Sequence, residues 1–155
     1  MLYSKTQRIN YKYLIRLVIG SVLAVSFSLS FISNADAEVA VVVNLGVVVD
    51  EVTQDDIANV FLKRVKNLPN GIQLTPIDQK DSLQLKQEFY LKVTGKNPNQ
   101  LNAYWSRLVF TGKGAPPQTV RNDDEVIRAV RANPELIGYI DASKVDETVK
   151  VLFSK

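Results

Sequence analysis

Val39-Ala40-Val41-Val42-Val43 is an unbroken apolar run, four of its five residues β-branched. A strand on a one-sided sheet alternates apolar with polar residues, so a run without alternation calls for cover on both faces. The chain must therefore place a layer above and a layer below this strand. Val47-Val48-Val49 is a second such run, read as extending the first or pairing with it across Asn44-Leu45-Gly46.

What precedes the run has another character. Residues 1–16 carry Lys5, Arg8, Lys12 and Arg16 and no acid; then come the sixteen uncharged residues Leu17–Ile32 and the small-x-small triplet Ala35-Asp36-Ala37. A positive segment, an apolar segment and a small-residue cleavage site in that order describe a secretory signal peptide. Sixteen residues rise only ~24 Å as helix, short of the ~30 Å hydrocarbon core, although a retained membrane anchor is the alternative. The expected organisation is a signal peptide over 1–37 and one domain over 38–155. A domain of that size buries one core, and the sequence holds no repeat or Ser/Gly-rich linker that would divide it.

This division changes what the charge means. The 155-residue chain has a formal charge of +3, but residues 38–155 hold 15 basic and 15 acidic side chains. The basic bias belongs to the export segment, and nucleic acid is not an expected partner. The absence of Cys and His removes disulfides, zinc-thiolate sites, thiol nucleophiles and the usual general base. No enzymatic activity and no cofactor or metal is expected.

The remaining elements follow from caps and periodicity. Thr53 with Asp56 opens a helix with the stripe Ile57, Val60, Phe61, ending near Lys63 before the turn Leu68-Pro69-Asn70-Gly71. Residues 72–78 alternate as a short strand whose Pro76 marks an edge or an end. Asp81 with Gln84 starts a helix running to Val93 before Gly95, with Leu85, Phe89 and Val93 on one face. Asn97-Pro98-Asn99-Gln100 starts another, carrying Leu101, Tyr104, Trp105 and Leu108. Residues 110–117 read as a loop. Asn122 with Glu125 reads as a further capping box, its helix stopped before Pro134, and residues 136–141 and 149–153 close the chain as strands. Strands alternating with helices predict an α/β domain with a mostly parallel sheet flanked by helices.

Several stretches invite chemistry and yield to plainer readings. Thr111-Gly112-Lys113-Gly114 lacks the glycine and the hydroxyl that a phosphate loop needs, and reads as a helix-ending loop. Asp55-Asp56 and Asp123-Asp124-Glu125 sit in first helical turns, where the helix dipole favours acids, and lack calcium-loop spacing. Tyr104-Trp105 has core spacing with a polar tip at the surface, rather than that of a ligand stack. Ser143-Lys144 are adjacent, which seldom lets a serine and its base face each other. The remaining place is the strand-to-helix turn Gln79-Lys80-Asp81-Ser82-Leu83. Free N–H groups of Ser82, Leu83 and Gln84, the Ser82 hydroxyl and the Lys80 ammonium suit an oxyanion. Alternatively, Asp81 caps those amides itself and repels an anion.

Placed in order, these stretches are similar to a known family. Asp55–Leu62 followed by Pro69-Asn70-Gly71, Ser82 with Phe89-Tyr90, Tyr104-Trp105, residues 110–117, and Asn133-Pro134-Glu135-Leu136-Ile137-Gly138-Tyr139-Ile140 resemble the phosphate-type periplasmic substrate-binding proteins of ABC importers, in their short single-lobe branch. The resemblance runs from about Thr53 to Asp141. It implies a type-2 periplasmic-binding-protein fold, a non-catalytic uptake role, an oxyanion ligand such as phosphate, and a membrane transporter or second protein as partner. In the family's glycine-serine-glycine-threonine phosphate loop, Ser82 matches the serine, while Asp81, Leu83 and Gln84 stand at the other positions. The candidate site read from the helix start is Lys80, Ser82, Leu83 and Gln84, of which Ser82 alone matches the family's loop. The alternative function is a protein-interaction module derived from such a protein and without its small ligand.

Overall fold

The computed structural model describes residues 38–49, 51–80 and 83–155. The expected signal peptide, Asp81 and Ser82 lie outside the described residues. In chain order the elements are β1 (Val39–Asn44), α1 (Gln54–Phe61), β2 (Thr75–Gln79), α2 (Leu83–Thr94), α3 (Pro98–Phe110), β3 (Gln118–Val120), α4 (Asp123–Ala132), β4 (Leu136–Asp141) and β5 (Val149–Ser154). The five strands form one sheet in the order β3-β2-β4-β1-β5. β2 runs parallel to β3 and β4, whereas β1 runs antiparallel to both β4 and β5. The parallel sense thus prevails, with β1 alone reversed among these strands.

Helices cover both faces, as the β1 run requires. Val39, Val41 and Val43 pack with α1, α2 and α3 through Ile57, Phe61, Phe89 and Trp105. Ala40 and Val42 face the opposite way, joining Val126, Ile127 and Val130 of α4. Val39 through Val43 are each at most 1 % exposed. Burying a side chain of this size stabilises by ~1.5–3 kcal/mol, so this strand anchors both layers.

The helix starts follow the capping chemistry. Thr53 and Asp56 exchange reciprocal hydrogen bonds, as do Asn97 and Gln100, with Pro98 opening α3. At α4 the Asn122 side chain accepts from Glu125 N, but the Glu125 carboxylate accepts from Arg121 N instead of Asn122 N. The expected capping box there is therefore only half formed, because Glu125 reaches one residue further back.

One further expectation changes, one is narrowed, and one strand is new. Val47-Val48-Val49 forms no strand: Asn44-Leu45-Gly46 does turn the chain, but β4 and β5 already occupy both edges of β1. Pro76 marks the start of β2 and not a sheet edge, since β2 lies between β3 and β4 and its ladder with β3 begins only at Ile77. Finally, β3 is a strand the pattern does not announce. Gln118-Thr119-Val120 is short and mostly polar, and forms because β2 offers it an open ladder edge.

Candidate functional site at the carboxyl end of β2

β2, β3 and β4 run in the same direction, so the segments following them emerge along one edge of the sheet. In open α/β sheets this edge carries the ligand crevices. Two helices, α2 and α4, begin there. The first turn of α4 holds Asp123, Asp124 and Glu125, so its positive dipole end already has its own negative charge. The described first turn of α2, Leu83-Gln84-Leu85, carries no acid. Of these two described first turns, only that of α2 is without an acid.

The side chains of the expected site residues converge only in part. Lys80 is exposed, and its N–H extends the sheet by donating to the Val120 carbonyl at 2.9 Å. The Gln84 amide points along the helix and donates to Glu88 Oε1 at 3.0 Å. Leu83 is 65 % exposed and offers only its backbone to a ligand.

Behind this helix start lies a buried polar cluster that the sequence reading did not single out. Asp78 is 2 % exposed. Its Oδ1 accepts from the Tyr139 hydroxyl and from Gln79 N at 2.8 Å. Its Oδ2 accepts from the Tyr90 hydroxyl at 3.2 Å and pairs with the Lys86 ammonium at 2.7 Å. These contacts use the carboxylate's acceptor sites, which is what makes its burial tolerable. Burial first, then the charge of Asp78 and the hydrogen bond to it, pushes the Tyr90 and Tyr139 phenols far up, so both stay protonated. Gln79, wholly buried, donates to the Tyr139 carbonyl at 2.7 Å and to Asp123 at 2.6 Å, linking β2 to β4 and to the start of α4. Its Oε1 has no hydrogen-bond partner among the described residues. An acceptor in that position calls for a donor, and so does not itself recruit an anion. The available signal for this cluster was an acid next to an apolar strand segment, with Lys86 and Tyr90 one helical turn apart.

A cleft of about 600 Å³ opens beside the cluster, with Asp78 and Lys86 at one end and Leu101, Trp105 and Phe110 of α3 along its side. Trp105 is thus a core residue with one edge in a cleft. The Tyr104 hydroxyl, expected at the surface, donates to the Leu62 carbonyl at 2.7 Å and ties α3 to the end of α1.

The other candidate stretches are structural. Gly112 has φ 65° and ends α3, and the Thr111 hydroxyl donates to Arg107 O at 2.8 Å. The Ser143 hydroxyl donates to Asp141 Oδ1 at 2.6 Å, and the same carboxylate caps the turn that carries Ser143 and Lys144. Among the described residues no group of acids is arranged to hold a metal ion.

A five-stranded mixed sheet covered by helices on both faces is a three-layer α/β architecture. Solved structures with the same fold include an ABC-type phosphate transport receptor from Vibrio cholerae, with a TM-score of 0.58 and 17% sequence identity over 75% of this chain and 46% of that one. A Clostridium perfringens protein assigned as a phosphate ABC transporter substrate-binding protein, with phosphate bound, gives the same TM-score of 0.58 and 17% identity over 75% of this chain and 45% of that one. The chain thus spans a little under half the length of these proteins. No family model matches the sequence, and no curated protein matches it. The similarity establishes the fold, an α/β domain shared with a little under half of each of these proteins.

Proposed function

We propose that this protein is a secreted, non-catalytic substrate-binding lobe of the phosphate-uptake type, exported through residues 1–37. Its oxyanion contact is the start of α2, with backbone N–H groups of Ser82, Leu83 and Gln84, the Ser82 hydroxyl and the Lys80 ammonium as donors. The observation that carries this reading is the acid-free first turn of α2 at the carboxyl end of β2. It sits in a fold shared with proteins described as phosphate receptors. A helix N-terminus needs no further device to favour a small anion. Its natural partner is a membrane transporter or a protein that supplies a second wall to the site.

Isothermal titration of the purified protein with phosphate, sulfate and molybdate tests the reading. Saturable heat with one of these supports it; no heat at millimolar concentrations of all three sinks it. Ser82→Ala is expected to weaken binding, and Asp81→Gly to strengthen it by removing a competing charge.

A second reading, an interaction module without its small ligand, is favoured by the exposure of Leu83, Val109 and Phe110 at 65%, 56% and 91%. A protein that stays monomeric and retains nothing from a periplasmic extract counts against that reading.

A further inference from the structure

The cleft between α2 and α3 combines a cation with apolar walls, a composition that free phosphate does not call for. At one end, Lys86 uses one of its three donors on Asp78, and its side chain remains 28% exposed. α3 presents Leu101, Trp105 and Val109 at successive i, i+4 positions, and Phe110 and Pro116 also line the cleft. Asn102 and Ser106, also one turn apart, add polar groups to the same wall. A second hollow of about 300 Å³ shares Lys86, Leu101 and Asn102 with the first and adds Lys96. The larger hollow alone is neutral, with Lys86 paired to Asp78; the second adds Lys96, whose ammonium lies 5.5 Å from the Tyr104 ring centre, so the residues lining the two carry one excess positive charge. Their volumes fall in the range of about 300–1,000 Å³ common for small-molecule sites.

We propose that this cleft binds a small organic monocarboxylate, with its carboxylate on Lys86 and its hydrocarbon body against Leu101, Trp105 and Val109. The charge match selects a singly charged ligand, and the apolar walls select one with a carbon chain or ring. Asp78, with Tyr90 and Tyr139 behind it, is a positioning residue that holds the Lys86 ammonium at the cleft end. This site adjoins the proposed oxyanion contact at the start of α2, since Leu83 lines the second hollow, but it uses a different cation, Lys86 in place of Lys80.

Trp105 is the only tryptophan of the chain, so its fluorescence reports on the cleft directly. The purified protein is titrated with hexanoate, with hexanol as the neutral counterpart and with inorganic phosphate. The expected result is a saturable change with hexanoate, about tenfold weaker binding of hexanol, and no change with phosphate, because a hydrogen bond between charged groups is roughly twice as strong as a neutral one. Phe110→Asp places a like charge on an exposed residue of the cleft lining and is expected to weaken hexanoate about tenfold, and hexanol by a smaller factor through loss of the ring. Lys96→Gln is expected to weaken hexanoate by a smaller factor. Both variants are checked for native circular dichroism, which guards against loss of fold, the risk attached to replacing Lys86. Equal affinity for hexanol and hexanoate, a response to phosphate matching that to hexanoate, no response at millimolar hexanoate, or folded variants that bind hexanoate as the parent does would each overturn the proposal. Titration heats with phosphate bear on the α2 site alone, so the two readings fail separately.

Discussion

Asp78, Tyr90 and Tyr139 depend on one another in a way that gives single substitutions measurable consequences. A buried carboxylate is costly unless each lone pair finds a donor, and the two phenols supply half of what Asp78 receives. Tyr139→Phe removes one donor while keeping the ring stacked on Phe89 at 4.0 Å. It is expected to cost ~1–3 kcal/mol, read from the urea midpoint at unchanged slope. The pH dependence has a definite sign. Both phenols are pushed above their unfolded value near 10, so their contribution is complete below about pH 10 and is lost as the pH rises further. Urea titrations between neutral and strongly alkaline pH should show stability falling above about pH 10, and the fall should be shallower in Tyr139→Phe. Asp78, Tyr90 and Tyr139 were not read as a site in the sequence. Asp78 and Tyr139 are separated by 61 positions, and only the pairing of β2 beside β4 brings them together.

At the level of elements, the helices were far more legible than the strands. Thr53 with Asp56 and Asn97 with Gln100 act over three residues, so their caps are set by local chemistry that no distant contact needs to supply. Asn97→Ala, which removes the side-chain acceptor for Gln100 N, is expected to cost ~1 kcal/mol, measurable by thermal or urea unfolding. Strands depend on who stands beside them. Val47-Val48-Val49 has strand-forming residues but no free neighbour, whereas Gln118-Thr119-Val120 has a weak pattern and a free edge on β2. The candidate anion site lies between these cases. Its location at a helix start was readable from the capping pattern around residue 81. That α4 carries its own acids at the same edge, while the described first turn of α2 carries none, emerged only from the topology.

For the whole molecule, the packing of α4 onto the sheet turns on one position. A Cβ at Gly138 would run into the Val126 side chain and meet Ile77 at 3.3 Å, both in the layer that α4 forms with β2 and β4. Gly138→Ala is expected to destabilise by ~1–3 kcal/mol through overpacking, as read from the urea midpoint. The proposed export has its own check. Expression in a secreting host should yield a protein beginning at Glu38, seen by intact mass; a product that keeps residues 1–37 and fractionates with membranes would instead support the retained anchor.

Local chemistry in the sequence determined the helix caps, the double cover over β1 and the charge balance of residues 38–155, because each depends on neighbouring residues or on counting. Tertiary structure decided what adjacency in the chain does not specify. The sheet order reversed β1 between β4 and β5, closed its edges to Val47–Val49, and opened an edge of β2 to β3. It also gathered Asp78, Lys86, Tyr90 and Tyr139 from three elements into one cluster beside the Trp105 cleft. The physical reason is the same in each case. A cap is satisfied within a turn of chain, whereas a ladder edge or a buried charge is satisfied only by partners that folding brings from elsewhere.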